Sequence, residues 1–81
     1  TSVIDPDRLE AEVAQIAEQL AAGAPLAQRF IKVALDRSAS MTFEMGLAFE
    51  EEAQATLLGS DDFREGAIAF LEKRRPKFKG R

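Results

Sequence analysis

Two sets of side chains in this sequence are of types that do chemistry. The first is carboxylate: Glu50, Glu51 and Glu52 run together, and Glu65 stands apart. A carboxylate pair works as acid and base when its two pKa values are pushed apart. Consecutive residues on a helix point in different directions, so the Glu50–Glu52 run does not converge on one site and reads as a solvated, ion-pairing face. Glu50 falls on the side of Leu47, and we expect it to be partly buried and paired with an arginine. The second set is the tail. Lys73 to Arg81 holds six positive charges and no negative one. Lysine and arginine suit phosphate, and Phe70 or Phe78 offers an aromatic face to a base. The plain structural alternative is a helix end whose cations complement the helix dipole, followed by a disordered end.

What the sequence lacks narrows the chemistry further. There are 81 residues with no His, Cys, Trp or Tyr. Without Cys there is no disulfide, zinc-thiolate site or thiol nucleophile. Without His the usual neutral-pH general base is gone, and a Ser-His-Asp arrangement is impossible within the chain. No apolar run approaches the ~20 residues that span a bilayer, and no signal-peptide pattern appears. We expect no membrane association and a cytoplasmic protein, and a first residue of Thr1 suggests a processed chain or an excised fragment. The mass of 8.9 kDa allows one small domain. A free-standing globule of that mass exposes roughly 4,800 Å² and buries about 63% of its unfolded surface. A complete enzyme with an enclosed pocket does not fit that size. The net charge is −3, so the 72 residues before the tail carry −9. Such a body repels polyanions, and we expect no nucleic-acid binding, although the tail keeps a basic-tailed polyanion binder open as an alternative.

The elements that would position these groups are helices, since the chain is rich in Ala and Glu and poor in β-branched residues. We expect an all-α fold of four helices, at about 5–22, 25–38, 41–58 and 61–75, with a basic tail at 76–81. Asp5 and Pro6 start the first helix as N-cap and first helical residue. Leu9, Val13, Ile16 and Leu20 form its apolar stripe, and Gly23 stops it in the left-handed conformation. The short Gly23-Ala24-Pro25 link predicts that the first two helices pack as a hairpin. Ser40 caps the third helix, which is apolar on two sides and therefore central or in contact with a partner. Gly46 inside it implies close approach of another element. Asp62 and Glu65 suit a capping box at the start of the fourth helix, and Lys73, Arg74 and Arg75 its last turn. Most of the six Phe residues are expected in the core or in an oligomer contact, with Met45 or Phe49 exposed in a monomer. Strand-like alternation is confined to 1–4.

One long stretch is distinctive. Ser60-Asp61-Asp62-Phe63-Arg64-Glu65-Gly66-Ala67-Ile68-Ala69-Phe70-Leu71-Glu72-Lys73-Arg74-Arg75-Pro76-Lys77-Phe78-Lys79-Gly80 resembles the C-terminus of the enoyl-CoA hydratase/isomerase (crotonase) superfamily, close to S/T-x-D-x-x-E-G-x-x-A-F-x-E-K-R-x-P-x-F-x-G. Upstream, Ala22-Gly23-Ala24-Pro25-Leu26-Ala27 with Lys32 and Leu47-Ala48-Phe49-Glu50 are similar to further segments of that family. The resemblance covers the whole chain. It implies the helical C-terminal region of such an enzyme, without the ββα spiral that supplies the oxyanion hole and the catalytic acids. On that resemblance no residue here is catalytic and none binds metal. No cofactor is implied beyond the coenzyme A thioester substrate. The region is expected to pack subunits into a homo-oligomer, trimer or hexamer, and to cover the acyl-CoA site. Phe70 and Lys73 correspond to positions near the adenosine-phosphate end of CoA, with Arg74 and Lys77 beside them. Gln54 stands where some members place an aromatic facing the adenine. An autonomous helical protein-interaction module is the remaining alternative.

Overall fold

The computed structural model describes residues 2–81 and is built of helices alone. After a single 3₁₀ turn at Pro6–Arg8, α1 spans Leu9–Ala22 and α2 spans Pro25–Arg37. A second 3₁₀ turn at Ser38–Ser40 leads into α3, Phe43–Leu58, and α4 covers Asp61–Glu72. No strand forms at 2–4, and Thr1 of that expected alternation lies outside the described residues. Each helix satisfies its own interior backbone, and hydroxyls cap the starts of α3 and α4. The Thr42 hydroxyl accepts from the Met45 N–H at 3.1 Å, and the Ser60 hydroxyl accepts from the Phe63 N–H at 3.0 Å. Both differ from the expected caps. Ser40 instead donates back to the Arg37 carbonyl at 3.1 Å, inside the 3₁₀ turn. Asp5 precedes Pro6 in extended conformation but makes no side-chain cap.

α3 is the middle element, with α2 on one side and α4 on the other. The rings of Phe30 and Phe49 meet across α2 and α3 at 6.4 Å in a tilted pair. Among the described residues, only Ala53 and Ala69 are buried apolar residues. None of the six Phe is: Phe43, Phe63 and Phe70 are exposed, and Phe30, Phe49 and Phe78 are half-buried. The expected hairpin of the first two helices does not form. Gly23 is extended, at φ −79° and ψ 175°, rather than left-handed, so the chain leaves α1 without folding back on it. The Gly23 N–H and the Gln28 side-chain amide both donate to the Leu20 carbonyl, closing the end of α1. The stripe of Leu9, Val13, Ile16 and Leu20 is therefore left 46 to 56% exposed. Gly46 has open space where a side chain would stand, so the expected close approach is absent. Glu50 is exposed and pairs with no arginine among the described residues, because α2 presents Phe30, Ile31 and Ala34 to that side of α3.

The tail is folded. α4 ends at Glu72, three residues earlier than expected, because Lys73 turns left-handed at φ 55° and ψ 43°. The Lys73 N–H then donates to the Phe70 carbonyl and the Arg74 N–H to the Ala69 carbonyl at 3.0 Å, the paired bonds of a Schellman terminus. Glycine usually occupies this position; a side chain there costs about 1 kcal/mol. From Arg74 the chain runs back along α4 as a strap. The Glu65 carboxylate receives the Arg74 guanidinium at 2.7 and 3.0 Å and the Lys77 N–H at 2.7 Å. The Asp62 carboxylate, 4% exposed, accepts the Lys79 N–H at 2.7 Å and the Gly80 N–H at 2.8 Å. The Arg81 carbonyl accepts the Asp62 N–H at 2.8 Å, filling a free donor of the first helical turn. Gly80 adopts φ +78°, and a side chain there would meet Pro25 at the start of α2. Asp62 and Glu65 are thus strap anchors, not a capping box.

Two expected outcomes follow. Asp62→Asn replaces one acceptor with an amide donor facing a backbone N–H, and should free the strap end by about 2 kcal/mol. Amide exchange at Lys79 and Gly80 then accelerates roughly thirtyfold. The Arg74 guanidinium, followed by the Lys77 N–H, lowers the Glu65 carboxyl from 4.5 to about 2. Its contribution to stability is therefore complete above pH ~4.5 and is lost as pH falls toward 2. In an NMR titration, Arg74→Met should return the Glu65 midpoint toward the ordinary value of about 4.3.

Candidate functional site

The residues with binding chemistry gather where α4 ends and the strap begins. Phe70 lies in the last turn of α4, and its ring is 83% exposed, the most open aromatic of the chain. A Phe so placed, on a face that packs against nothing in the chain, is available to a flat partner. Lys73 follows three residues later at the left-handed terminus and is exposed. Lys77 has its backbone N–H fixed by Glu65 and an exposed side chain.

Arg74 is arranged differently. Its Nε donates to Glu72 at 2.6 Å, its Nη1 and Nη2 to Glu65, and Nη1 also to the Arg75 carbonyl. Four of its five N–H donors are engaged. The hydrogen bonds to Glu65 and then Glu72 raise its pKa further, so it is a permanent cation whose charge is already answered. Arg81 approaches Asp61 at 3.8 Å. Among the described residues, Lys73, Arg75, Lys77 and Lys79 of the tail make no ion pair.

The carboxylates that the sequence singles out lie apart from one another. Glu50, Glu51 and Glu52 are exposed on α3, while Asp62 and Glu65 are occupied by the strap. No group of three metal-ligating side chains occurs among the described residues, and no helix is long and apolar enough to cross a membrane. Gln54 is exposed on α3 and lines a groove of about 350 Å³ with Leu57, Phe63, Ala67 and Phe78. Phe70 and Lys73 line no part of that groove.

The roles of Asp62 and Glu65 were not readable from local pattern. Their partners stand 18 and nine residues downstream in sequence. The signal that was present is the punctuation of the tail. Pro76 and Gly80 forbid a continuing helix and suit an extended segment with a left-handed corner.

The comparisons with known proteins agree along the whole chain. The profile of the enoyl-CoA hydratase/isomerase family matches residues 1–81. A 2,3-dehydroadipyl-CoA hydratase of Escherichia coli (strain K12) is 41% identical over 81 residues, which cover 99% of this chain and 32% of that protein. A probable enoyl-CoA hydratase of Rhizobium meliloti is 38% identical over 79 residues, covering 98% of this chain and 31% of that protein. A crystal structure of enoyl-CoA hydratase from Bacillus anthracis superposes with a TM-score of 0.89 at 34% identity, covering 98% of this chain and 31% of that one. The chain thus spans about a third of the length of the relatives it matches. Since the family profile covers the whole chain and these relatives match nearly all of it, the chain belongs to the enoyl-CoA hydratase/isomerase family.

Proposed function

We propose that the polypeptide to which this chain contributes acts on acyl-coenzyme A thioesters, adding water across a 2-enoyl thioester, and that this chain serves subunit assembly and covers the coenzyme A end of the substrate. The observation that carries the reading is the family match over the whole chain. In this reading catalysis falls to other parts of the polypeptide.

The geometry supports an assembly role through its exposed area. The helices form a slab of 42 × 39 × 17 Å with a radius of gyration of 15.8 Å, against about 11.7 Å for a globule of this length. The accessible surface is 7064 Å², about half as much again as the roughly 4,800 Å² of a free-standing globule. The excess is on the scale of a specific protein interface. It includes many large apolar residues: the α1 stripe, Ile31 and Leu35 of α2, Phe43, Met45 and Leu47 of α3, and Phe70 and Leu71 of α4. This distribution favours a subunit-packing region, in a trimer or hexamer, over an autonomous interaction module.

At the C-terminal end of α4, Lys73 neutralises a phosphate of the coenzyme and Phe70 borders its adenine. Lys77 adds charge beside them. Arg74, with its donors taken, shapes this surface by holding the strap. The acidic body and the engaged arginine weigh against general polyanion binding.

In light scattering over a concentration series, the 81-residue chain is expected to gain mass as concentration rises. A stable monomer throughout would remove the assembly role. In the full enzyme, Lys73→Glu should raise KM for acyl-CoA about tenfold and leave KM for a truncated pantetheine thioester within twofold, since an exposed ion pair contributes up to ~1 kcal/mol and reversal adds repulsion. Equal changes for both substrates would remove Lys73 from the site.

A further inference from the structure

Lys73 occupies a backbone conformation that glycine fills without strain, yet the residue there is a lysine. Observed backbone outliers of this kind persist where surrounding contacts over-determine them, and they point to function. The contacts that hold this one can be named. On the helix side are the Lys73 and Arg74 N–H groups, bonded to Phe70 and Ala69. On the strap side is Glu65, which grips Arg74, the very next residue, through two guanidinium bonds and grips Lys77 through its backbone N–H. Glu72 takes the remaining edge of the same guanidinium at 2.6 Å. The chain on either side of Lys73 is therefore fixed, one side by α4 and the other by Glu65. Glu65 itself is rigidly sited in the second turn of α4, half-buried beneath the strap.

We infer that Glu65 is a positioning residue for the coenzyme: by clamping Arg74 and Lys77 against α4 it holds Lys73 in its left-handed turn and so aims the Lys73 ammonium at the phosphate. The inference rests on the reading of Lys73 given above, and extends it to a residue that does not touch the ligand. Loss of the clamp lets the strap relax at its start while Asp62 still holds its far end at Lys79 and Gly80. Lys73 then samples many directions, and its contribution to binding is diluted.

The test is a double-mutant cycle in the full enzyme with two substrates, an acyl-CoA and the matching pantetheine thioester. Glu65→Gln alone should raise KM for acyl-CoA about fivefold, the ceiling for a solvent-exposed ion pair, with kcat and the pantetheine KM within twofold. In a Lys73→Gln background the same Glu65→Gln change should alter KM by less than twofold, because the residue it acts through has lost its charge. A fivefold effect in both backgrounds, or an equal effect on the pantetheine substrate, would overturn the positioning role and leave Glu65 a general structural residue. No effect of Glu65→Gln while Lys73→Gln raises KM would also overturn it, with the Lys73 reading intact. No effect of Lys73→Gln itself would sink that reading and the clamp with it. If Glu65→Gln fails to assemble, Arg74→Lys takes its place: it keeps the charge but loses the two-pronged grip, and the same cycle is expected.

Discussion

The structure turns on two carboxylates that accept backbone N–H groups from a strand of chain with no secondary structure of its own. A segment such as Arg74–Arg81 buries little apolar surface and has no ladder partner, so its backbone donors need acceptors or water. Asp62 supplies two bonds at one end and Glu65 supplies three at the other. Bonds to an ionised acceptor are roughly twice as strong as neutral ones. That strength lets a polar, Lys- and Arg-rich tail lie ordered on a helix. The strap then covers Gly66 with the Phe78 ring, closes the first turn of α4 with the Arg81 carbonyl, and reaches α2 through Gly80.

This arrangement divides five of the six cations of the tail by task, the sixth, Arg81, lying near Asp61. Arg74 is spent internally, where a planar fork meeting one carboxylate in two bonds gives both strength and direction. Lys73, Arg75, Lys77 and Lys79 keep exposed ammonium or guanidinium groups on a surface whose backbone is fixed. Lys73, the C-cap of α4, also stands at the negative end of the helix dipole. An acidic body and a basic edge thus coexist without collapsing onto each other, because the neutralising contacts are made by particular pairs rather than by the average field.

The other half of the slab follows a different constraint. α1, α2 and α3 carry enough apolar residues for a core, but their order in space leaves most of them uncovered. Among the described apolar residues only two alanines are buried, while Leu9, Val13, Ile16 and Leu20 stand in a half-exposed row. A monomeric globule does not keep a row of that kind open to water. That exposed row is the surface on which the proposed packing role rests.

Much of this was legible in the residues alone. The absence of His and Cys excluded most catalytic and metal chemistry, the Ala- and Glu-rich composition required helices, and the spacing of Leu9, Val13, Ile16 and Leu20 defined one apolar stripe. The tail motif carried the family. These are properties of residue type and short-range periodicity, which act within a few turns. What only the tertiary structure decided is where those features point. Gly23 is extended rather than left-handed, and that single backbone choice turns the expected hairpin into an open arm. Thr42 and Ser60, not Ser40 and Asp62, cap their helices, because the candidate hydroxyls and carboxylates compete and the losing ones find other partners. Asp62 and Glu65 look like helix-start residues until the chain 12 to 18 positions later returns to them. A carboxylate accepts any N–H within reach. Sequence determines which groups need partners, and the folded path alone determines which partners arrive.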